Sequence, residues 1–265
     1  MASSIKFIAT DMDGTLLSDE KRLPADFYDI FNQLDAKNIL FAAASGRQYQ
    51  SLVNTFEPIK DKMLFIAENG TLVMHQGKEL YSSTIPTSEI HTIINSIKTI
   101  DNTFIVLCGK NSAYTETTDA QALEEIKKYY HNLEFVDDLL MVDDEFIKIA
   151  VLNFNGTEQQ VYPIIAPLYS QTHQVVISAH VWLDVMHKTA SKGAAIKELQ
   201  RIFDFTFEES MSFGDFLNDV EMLKETYFSY AMDNAHPEIK QLARFHAPSN
   251  NEQGVMTIIK EQVLK

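Results

Sequence analysis

The chain has 265 residues, 22 basic and 37 acidic, giving a net charge of −15. Hydrophobic residues make up 45% and charged residues 22%, which excludes disorder as the dominant state and leaves enough material for one large or two medium domains. The acidic balance excludes a uniform basic surface for nucleic-acid phosphates and disfavours anionic lipid surfaces.

No window approaches the roughly 20 apolar residues of a spanning helix. The apolar run at 5–10 is short and soon met by acidic residues, unlike a secretory leader. Cys108 stands alone, so an internal disulfide and an all-cysteine metal site are both excluded. A buried, inert thiol is the expected reading. These features predict a cytoplasmic protein without nucleic-acid or membrane partners.

In chain order, 5–10 is a strand-length apolar run. Pro24 opens a helical pattern with Phe27, Ile30, Phe31 and Leu34 on one face. A second buried-strand run covers 39–44, followed by a Ser-Gly turn and a short helix, and a third covers 64–67. Continuous apolar strands separated by helices indicate a parallel sheet covered on both faces.

Between about 83 and 184 the pattern changes. Helical segments are expected at 88–100, 121–130 and 157–169, with strands of polar alternation such as 103–107 and 146–152. This stretch reads as a separate α+β domain inserted into the core, which then comprises 1–82 and 185–265. From Ser191 the first rhythm resumes. Ile196, Leu199 and Phe203 share a helical face, 211–213 is a short strand, 220–223 a helix, 228–232 a strand. Two further helices carry Ile239, Leu242, Ala243 and Val255, Ile258, Ile259, Val263. The fold class is therefore α/β, a Rossmann-like doubly wound parallel-sheet core with an inserted α+β cap domain.

Four short motifs carry chemistry. Asp11-Met12-Asp13-Gly14-Thr15 directly follows the first strand, at the carboxyl edge where open α/β sheets bind ligands. Residues i and i+2 of an extended chain point the same way, and two adjacent carboxylates call for a cation or a proton. A plain turn or helix cap is the alternative. An EF-hand is excluded, because Thr15 and Arg22 stand where Asp or Asn and Glu are needed.

Gly214-Asp215-Phe216-Leu217-Asn218-Asp219 follows another short strand and supplies oxygen donors suited to Mg2+. Capping of the next helix by Asn218 or Asp219 is the alternative. Ser45-Gly46-Arg47 offers a hydroxyl and backbone N–H groups before a helix, either an anion site or an ordinary Ser cap. Ser191-Lys192-Gly193 places a lysine at a helix start, against the helix dipole, which suggests a bound anion or carboxylate, an ordinary solvated lysine being the alternative. Taken together these residues form a phosphoryl-transfer inventory. His180 and His187 show no metal-binding spacing, and no dinucleotide glycine motif, phosphate-binding lysine loop or serine elbow is present.

The motifs resemble those of the haloacid dehalogenase superfamily, in its Cof-type (subclass IIB) branch, and most of all bacterial sugar phosphatases. The resemblance spans essentially the whole chain. Asp11-Met12-Asp13-Gly14-Thr15-Leu16, Ser45-Gly46-Arg47, Lys192-Gly193 and Gly214-Asp215…Asn218-Asp219 match its four motifs. Glu68-Asn69-Gly70 and Ala231-Met232-Asp233-Asn234-Ala235 match two further segments. Phe216-Leu217 departs from the smaller or polar residues usual there.

The resemblance implies a phosphatase for small-molecule phosphate esters, with sugar phosphates the expected class. Asp11 would be the nucleophile and Asp13 the acid–base. Mg2+ would be held by Asp11, Asp215 and the backbone carbonyl of Asp13, with Asp219 in support. Ser45, Gly46, Lys192 and Asn218 would hold the phosphate, with Arg47 and Asn69 as further phosphate or substrate contacts. The inserted segment is expected to be a mobile specificity cap, homo-oligomerisation being its alternative role. A phosphomutase and a phospho-accepting signalling module are the competing functions.

Overall fold

A computed structural model describes residues 5–265. Residues 1–4, which precede the apolar run weighed above as a leader, lie outside the described residues. The chain runs β1 (Phe7–Thr10), α1 (Phe27–Ala36), β2 (Leu40–Ala44), α2 (Tyr49–Thr55), β3 (Leu64–Ala67), β4 (Leu72–His75) and β5 (Lys78–Ser82). There follow α3 (Thr87–Ile97), β6 (Phe104–Gly109), β7 (Ala113–Thr115), α4 (Ala120–Ile126), β8 (Leu133–Phe135) and β9 (Phe146–Leu152). Next come α5 (Thr157–Gln160), α6 (Tyr162–Tyr169), β10 (His173–Ala179) and β11 (Trp182–His187). The chain finishes with α7 (Lys192–Phe203), β12 (Ser210–Gly214), α8 (Val220–Lys224), β13 (Phe228–Met232), α9 (Pro237–Leu242), β14 (Phe245–Ala247) and α10 (Gly254–Gln262).

Two compact units result, one from the described part of Met1–Ser45 with Phe56–Tyr81 and Ser191–Lys265, the other from Gly46–Thr55 and Ser82–Ala190. The first holds an eight-stranded sheet in the order β14-β13-β12-β1-β2-β3-β4-β5. Its strands from β14 to β3 run parallel, and β4 turns antiparallel to β3. The apolar runs explain why this sheet forms. Phe7 and Ala9 of β1 pack with Ala42, Leu64, Ile66 and the α7 residues Ile196 and Leu199. On the α1 side, Phe27 and Phe31 meet Phe41 with ring centroids 5.8 and 6.1 Å apart. A strand buried on both faces cannot alternate, so its sequence reads as continuous hydrophobicity.

The second unit is α+β. Its six-stranded sheet has the order β10-β11-β9-β6-β7-β8, antiparallel except for the parallel β7–β8 pair. Helix α3 buries Ile90, Ile93, Ile94 and Ile97, a spacing that follows its 3.6-residue period.

Two local expectations need correction. The helix expected over 157–169 is broken at Val161, whose φ of −110° ends α5 before α6 begins with a proline in its first turn. Proline has no N–H to continue a preceding helix but suits a new first turn. Strand β9 was expected to alternate, yet all seven of its residues are buried, Lys148 included. That lysine does not mark a wet face: its Nζ lies 2.8 Å from the Gly46 carbonyl and 3.7 Å from the Asp184 carboxylate, both in its own unit. Among the described residues no helix is long and apolar enough to cross a membrane.

Candidate active site

The first sheet changes direction at β1. From β1 the chain moves to β2 on one side, while β12 and β13 extend the sheet on the other. The carboxyl ends of β1 and β12 flank that switch point, where side chains from both loops face a common crevice. Asp11 leaves β1 there, its N–H continuing the ladder to the Phe213 carbonyl at 3.0 Å. Asp215 leaves β12 beside it. Gly14 has φ +80°, and a Cβ on it would stand 2.4 Å from the Asp215 carboxylate, so only glycine lets the two loops approach this closely.

Lys192 joins the carboxylates. It is 0% exposed, and its Nζ donates to Asp11 Oδ1 at 2.5 Å and to Asp219 Oδ1 at 2.7 Å. The other Asp219 oxygen accepts the backbone N–H groups of Asp215 (2.9 Å) and Phe216 (3.2 Å). Asp219 therefore fastens the loop after β12, and its side chain makes no capping bond to α8. Thr15 Oγ1 donates to Asp215 Oδ1 at 2.7 Å. The lysine at a helix start, unfavourable for the dipole, is thus compensated by two carboxylates. Ser191 caps the same helix by accepting from the Ala194 N–H at 3.0 Å.

Three buried or half-buried carboxylates, Asp11, Asp215 and Asp219, offer oxygens within 4.8 Å of one another. Burial raises the Asp11 carboxyl well above its ordinary range, against the pull of Lys192 and with the help of Asp219 and Asp215. Burial and the Asp219 charge push Asp215 up to about 7. Burial opposes the Lys192 charge, but Asp11 and Asp219 outweigh it and hold the ammonium above its usual value. One ammonium among three carboxylates leaves the site electron-rich, and a hard divalent cation such as Mg2+ fits this all-oxygen donor set.

This imbalance has a measurable consequence. A carboxyl whose folded pKa is raised contributes stability that is present at low pH and lost as pH rises through about 7. In chelator at pH 8, Asp215→Asn should therefore stabilise the protein by on the order of 1–3 kcal/mol, while weakening Mg2+ binding and turnover. A thermal melt of the variant that matched or fell below wild type would remove the electrostatic account.

A second layer surrounds the cluster. The Ser45 N–H donates to the Ile66 carbonyl, and the Ser45 carbonyl accepts from the Asn69 N–H, both at 2.9 Å. Asn218 Nδ2 donates to Asn69 Oδ1 at 2.9 Å. Glu68, Asn69 and Gly70 adopt φ +51°, +56° and +91°, left-handed backbone that glycine takes freely and asparagine more readily than most residues. A Cβ on Gly70 would meet the Ser191 carbonyl at 2.3 Å, which shows how tightly the turn lies against the start of α7. Ser45 does not cap a helix: α2 begins four residues later, at Tyr49. Gly46 and Arg47 belong to the second unit, where the Arg47 guanidinium lies 5.7 Å from the Tyr129 ring centroid.

Sequence reasoning missed several supports. Asn234 donates to the Gly14 carbonyl at 2.7 Å, and Lys21 pairs with Asp13 at 2.7 Å. Asn234 sits in a recognisable segment, but nothing local in the sequence ties Lys21 to Asp13.

A nucleophile-type carboxylate, a locked lysine and an oxygen cluster at one switch point are the parts of a phosphoryl-transfer enzyme. Residues 8–259 match the family model described as haloacid dehalogenase-like hydrolase, and the chain belongs to that family. Its relatives are phosphatases, and so is this enzyme.

The chain is 34% identical to the Escherichia coli (strain K12) 5-amino-6-(5-phospho-D-ribitylamino)uracil phosphatase YbjI, over 99% of this chain and 97% of that protein. It is 24% identical to the Bacillus subtilis (strain 168) protein of the same description, YcsE, over 98% and 96%. The crystal structure of SMU.1108c from Streptococcus mutans UA159 superposes with a TM-score of 0.93 at 29% identity, covering 99% of this chain and all of that one.

Proposed function

We propose that the chain hydrolyses phosphate monoesters of small polyhydroxylated metabolites, with Mg2+, through an aspartyl-phosphate on Asp11. The observation that carries this reading is the buried Asp11–Lys192–Asp219 cluster at the switch point. In the first step an Asp11 oxygen forms a bond to phosphorus as the bond to the leaving oxygen breaks, and Asp13 gives that oxygen its proton. In the second step water attacks phosphorus, its proton passes to Asp13, and the Asp11–phosphorus bond breaks. Lys192 orients Asp11 and neutralises part of its charge. Ser45 and Asn218, linked through Asn69, bind phosphate oxygens, with the Gly46 amide. Asp11 and Asp215, supported by Asp219, and the backbone carbonyl of Asp13 would hold Mg2+, which when bound offsets the repulsion between an anionic nucleophile and an anionic phosphate.

These groups address only the phosphate, which every ester shares. Discrimination among leaving groups is therefore assigned to the second unit, in the manner of a specificity cap. Whole-length identity to YbjI favours a ribityl ester carrying a heterocycle, 5-amino-6-(5-phospho-D-ribitylamino)uracil, as the substrate.

The test is phosphate release across a panel of that compound, hexose phosphates and nucleotides, with and without Mg2+. The expected result is a kcat/KM for the ribityl ester about tenfold or more above the hexose phosphates, and activity lost in chelator. A hexose phosphate turned over best would move the assignment to sugar phosphates. Undiminished activity in chelator would overturn the metal's part.

A further inference from the structure

We infer that Lys21 is a positioning residue for the Asp13 carboxyl, carried to it by a turn that two asparagines clamp to the C-terminal part of the first unit. The inference rests on the reading of Asp13 as the acid–base.

The turn follows the nucleophile loop. Ser18 N–H donates to the Arg22 carbonyl at 3.0 Å and Lys21 N–H to the Ser18 carbonyl at 2.8 Å. Lys21 occupies the left-handed region at φ +60°, an uncommon conformation for a lysine that persists only where its surroundings impose it. The surroundings do so through Asp19. Its carboxylate accepts from Asn250 Nδ2 at 3.0 Å and from Asn251 Nδ2 at 2.9 Å, and its N–H donates to Asn251 Oδ1 at 3.1 Å. Asn250 is buried and also donates from Nδ2 to the Leu17 carbonyl at 3.0 Å. Its own N–H reaches Asn234 Oδ1 at 3.1 Å, and Asn234 in turn holds the Gly14 carbonyl. Both ends of the 14–19 loop are thereby fastened to two C-terminal segments, at Asn234 and at Asn250–Asn251, that are themselves joined by the Asn250–Asn234 bond.

The consequence lies at Asp13. The Lys21 side chain is half exposed, and an ion pair between two mobile surface groups is worth little. Here the turn and the strand end fix both backbones, and Nζ rests 2.7 Å from Asp13 Oδ1. One carboxylate oxygen is held, so the rotamer of the group that exchanges a proton with the leaving oxygen is set. An acid displaced by about 1 Å can cost up to about a hundredfold in rate, and that loss falls on esters whose leaving oxygen needs a proton.

The full chain with Mg2+ is assayed on a polyol phosphate and on 4-nitrophenyl phosphate, whose leaving group departs without an acid. In single turnovers that follow release of the leaving alcohol or phenol, and so only the first step, Lys21→Met should slow release from the polyol ester about tenfold, with Mg2+ affinity, melting temperature and release from the aryl ester each within about twofold or a degree or two. Lys21→Arg should recover most of the loss. Asp19→Asn, which keeps Lys21 but weakens its mooring, should shift the same ratio in the same direction.

Equal losses on both esters, or none, would overturn the proposal and leave an exposed ion pair without effect. Asp13→Asn separates the two levels. If it shows the alkyl-selective loss and Lys21→Met does not, only the positioning role fails. If it shows no selectivity, the acid–base reading fails and takes the positioning role with it.

Discussion

Asp11→Asn should abolish turnover on every ester, by about four orders of magnitude or more, because the amide offers no anionic oxygen to phosphorus. The fold should survive. The change removes a carboxylate that burial already disfavours in its charged form, and the Lys192 ammonium keeps its bond to Asp219. Rapid acid quench with phosphorus-labelled substrate should trap label on the wild-type chain and none on the variant. Near-normal release by the variant would remove Asp11 as the nucleophile, and the covalent mechanism with it.

The second large effect concerns stability. Lys192→Met deletes the ammonium shared by Asp11 and Asp219, both of which remain buried. Breaking a buried ion pair by removing one partner costs about 3–5 kcal/mol, since the surviving charge stays desolvated and uncompensated. In a chain of this length that corresponds to a melting temperature lower by roughly 10 °C. Two outcomes distinguish the electrostatic cause from a packing defect. Acidification should recover stability as the carboxylates protonate, and Mg2+ should stabilise the variant by more than it stabilises wild type. Lys192→Arg should not rescue fully, because a planar guanidinium does not fit a slot shaped for an ammonium. An unchanged melt would show that the lysine is dispensable to the cluster.

The parts of the structure that were legible in the sequence share a physical cause. Strands β1, β2 and β3 are buried on both faces, so their sequences are unbroken apolar runs. The helix at 192–203 announces itself by period and by the Ser191 cap. Asp11, Asp215 and Lys192 could be listed because each follows a strand or opens a helix, and the parallel topology then gathers those ends. The edge strand β14 left little trace, being three residues long with its first two exposed. The buried Lys148 misled, because a paired interior lysine and a solvated one have the same letter. The linkage of Asn69 to Asn218, and of Asp19 to Asn250, was illegible for another reason. These are contacts between residues 149 and 231 positions apart, which no local window contains.

The sheet order has a bearing on how the protein is born. β1 is central, yet its neighbour β12 is the twelfth of the fourteen described strands to be made and emerges only after Ser82–Ala190. At about 5–20 residues per second, that interval is on the order of ten seconds. Throughout it, one edge of β1 offers unpaired N–H and C=O groups on a flat apolar strand, the profile of an aggregation-prone edge. A nascent chain halted before β12 should accordingly bind holdase chaperones, whereas one released after α10 should not.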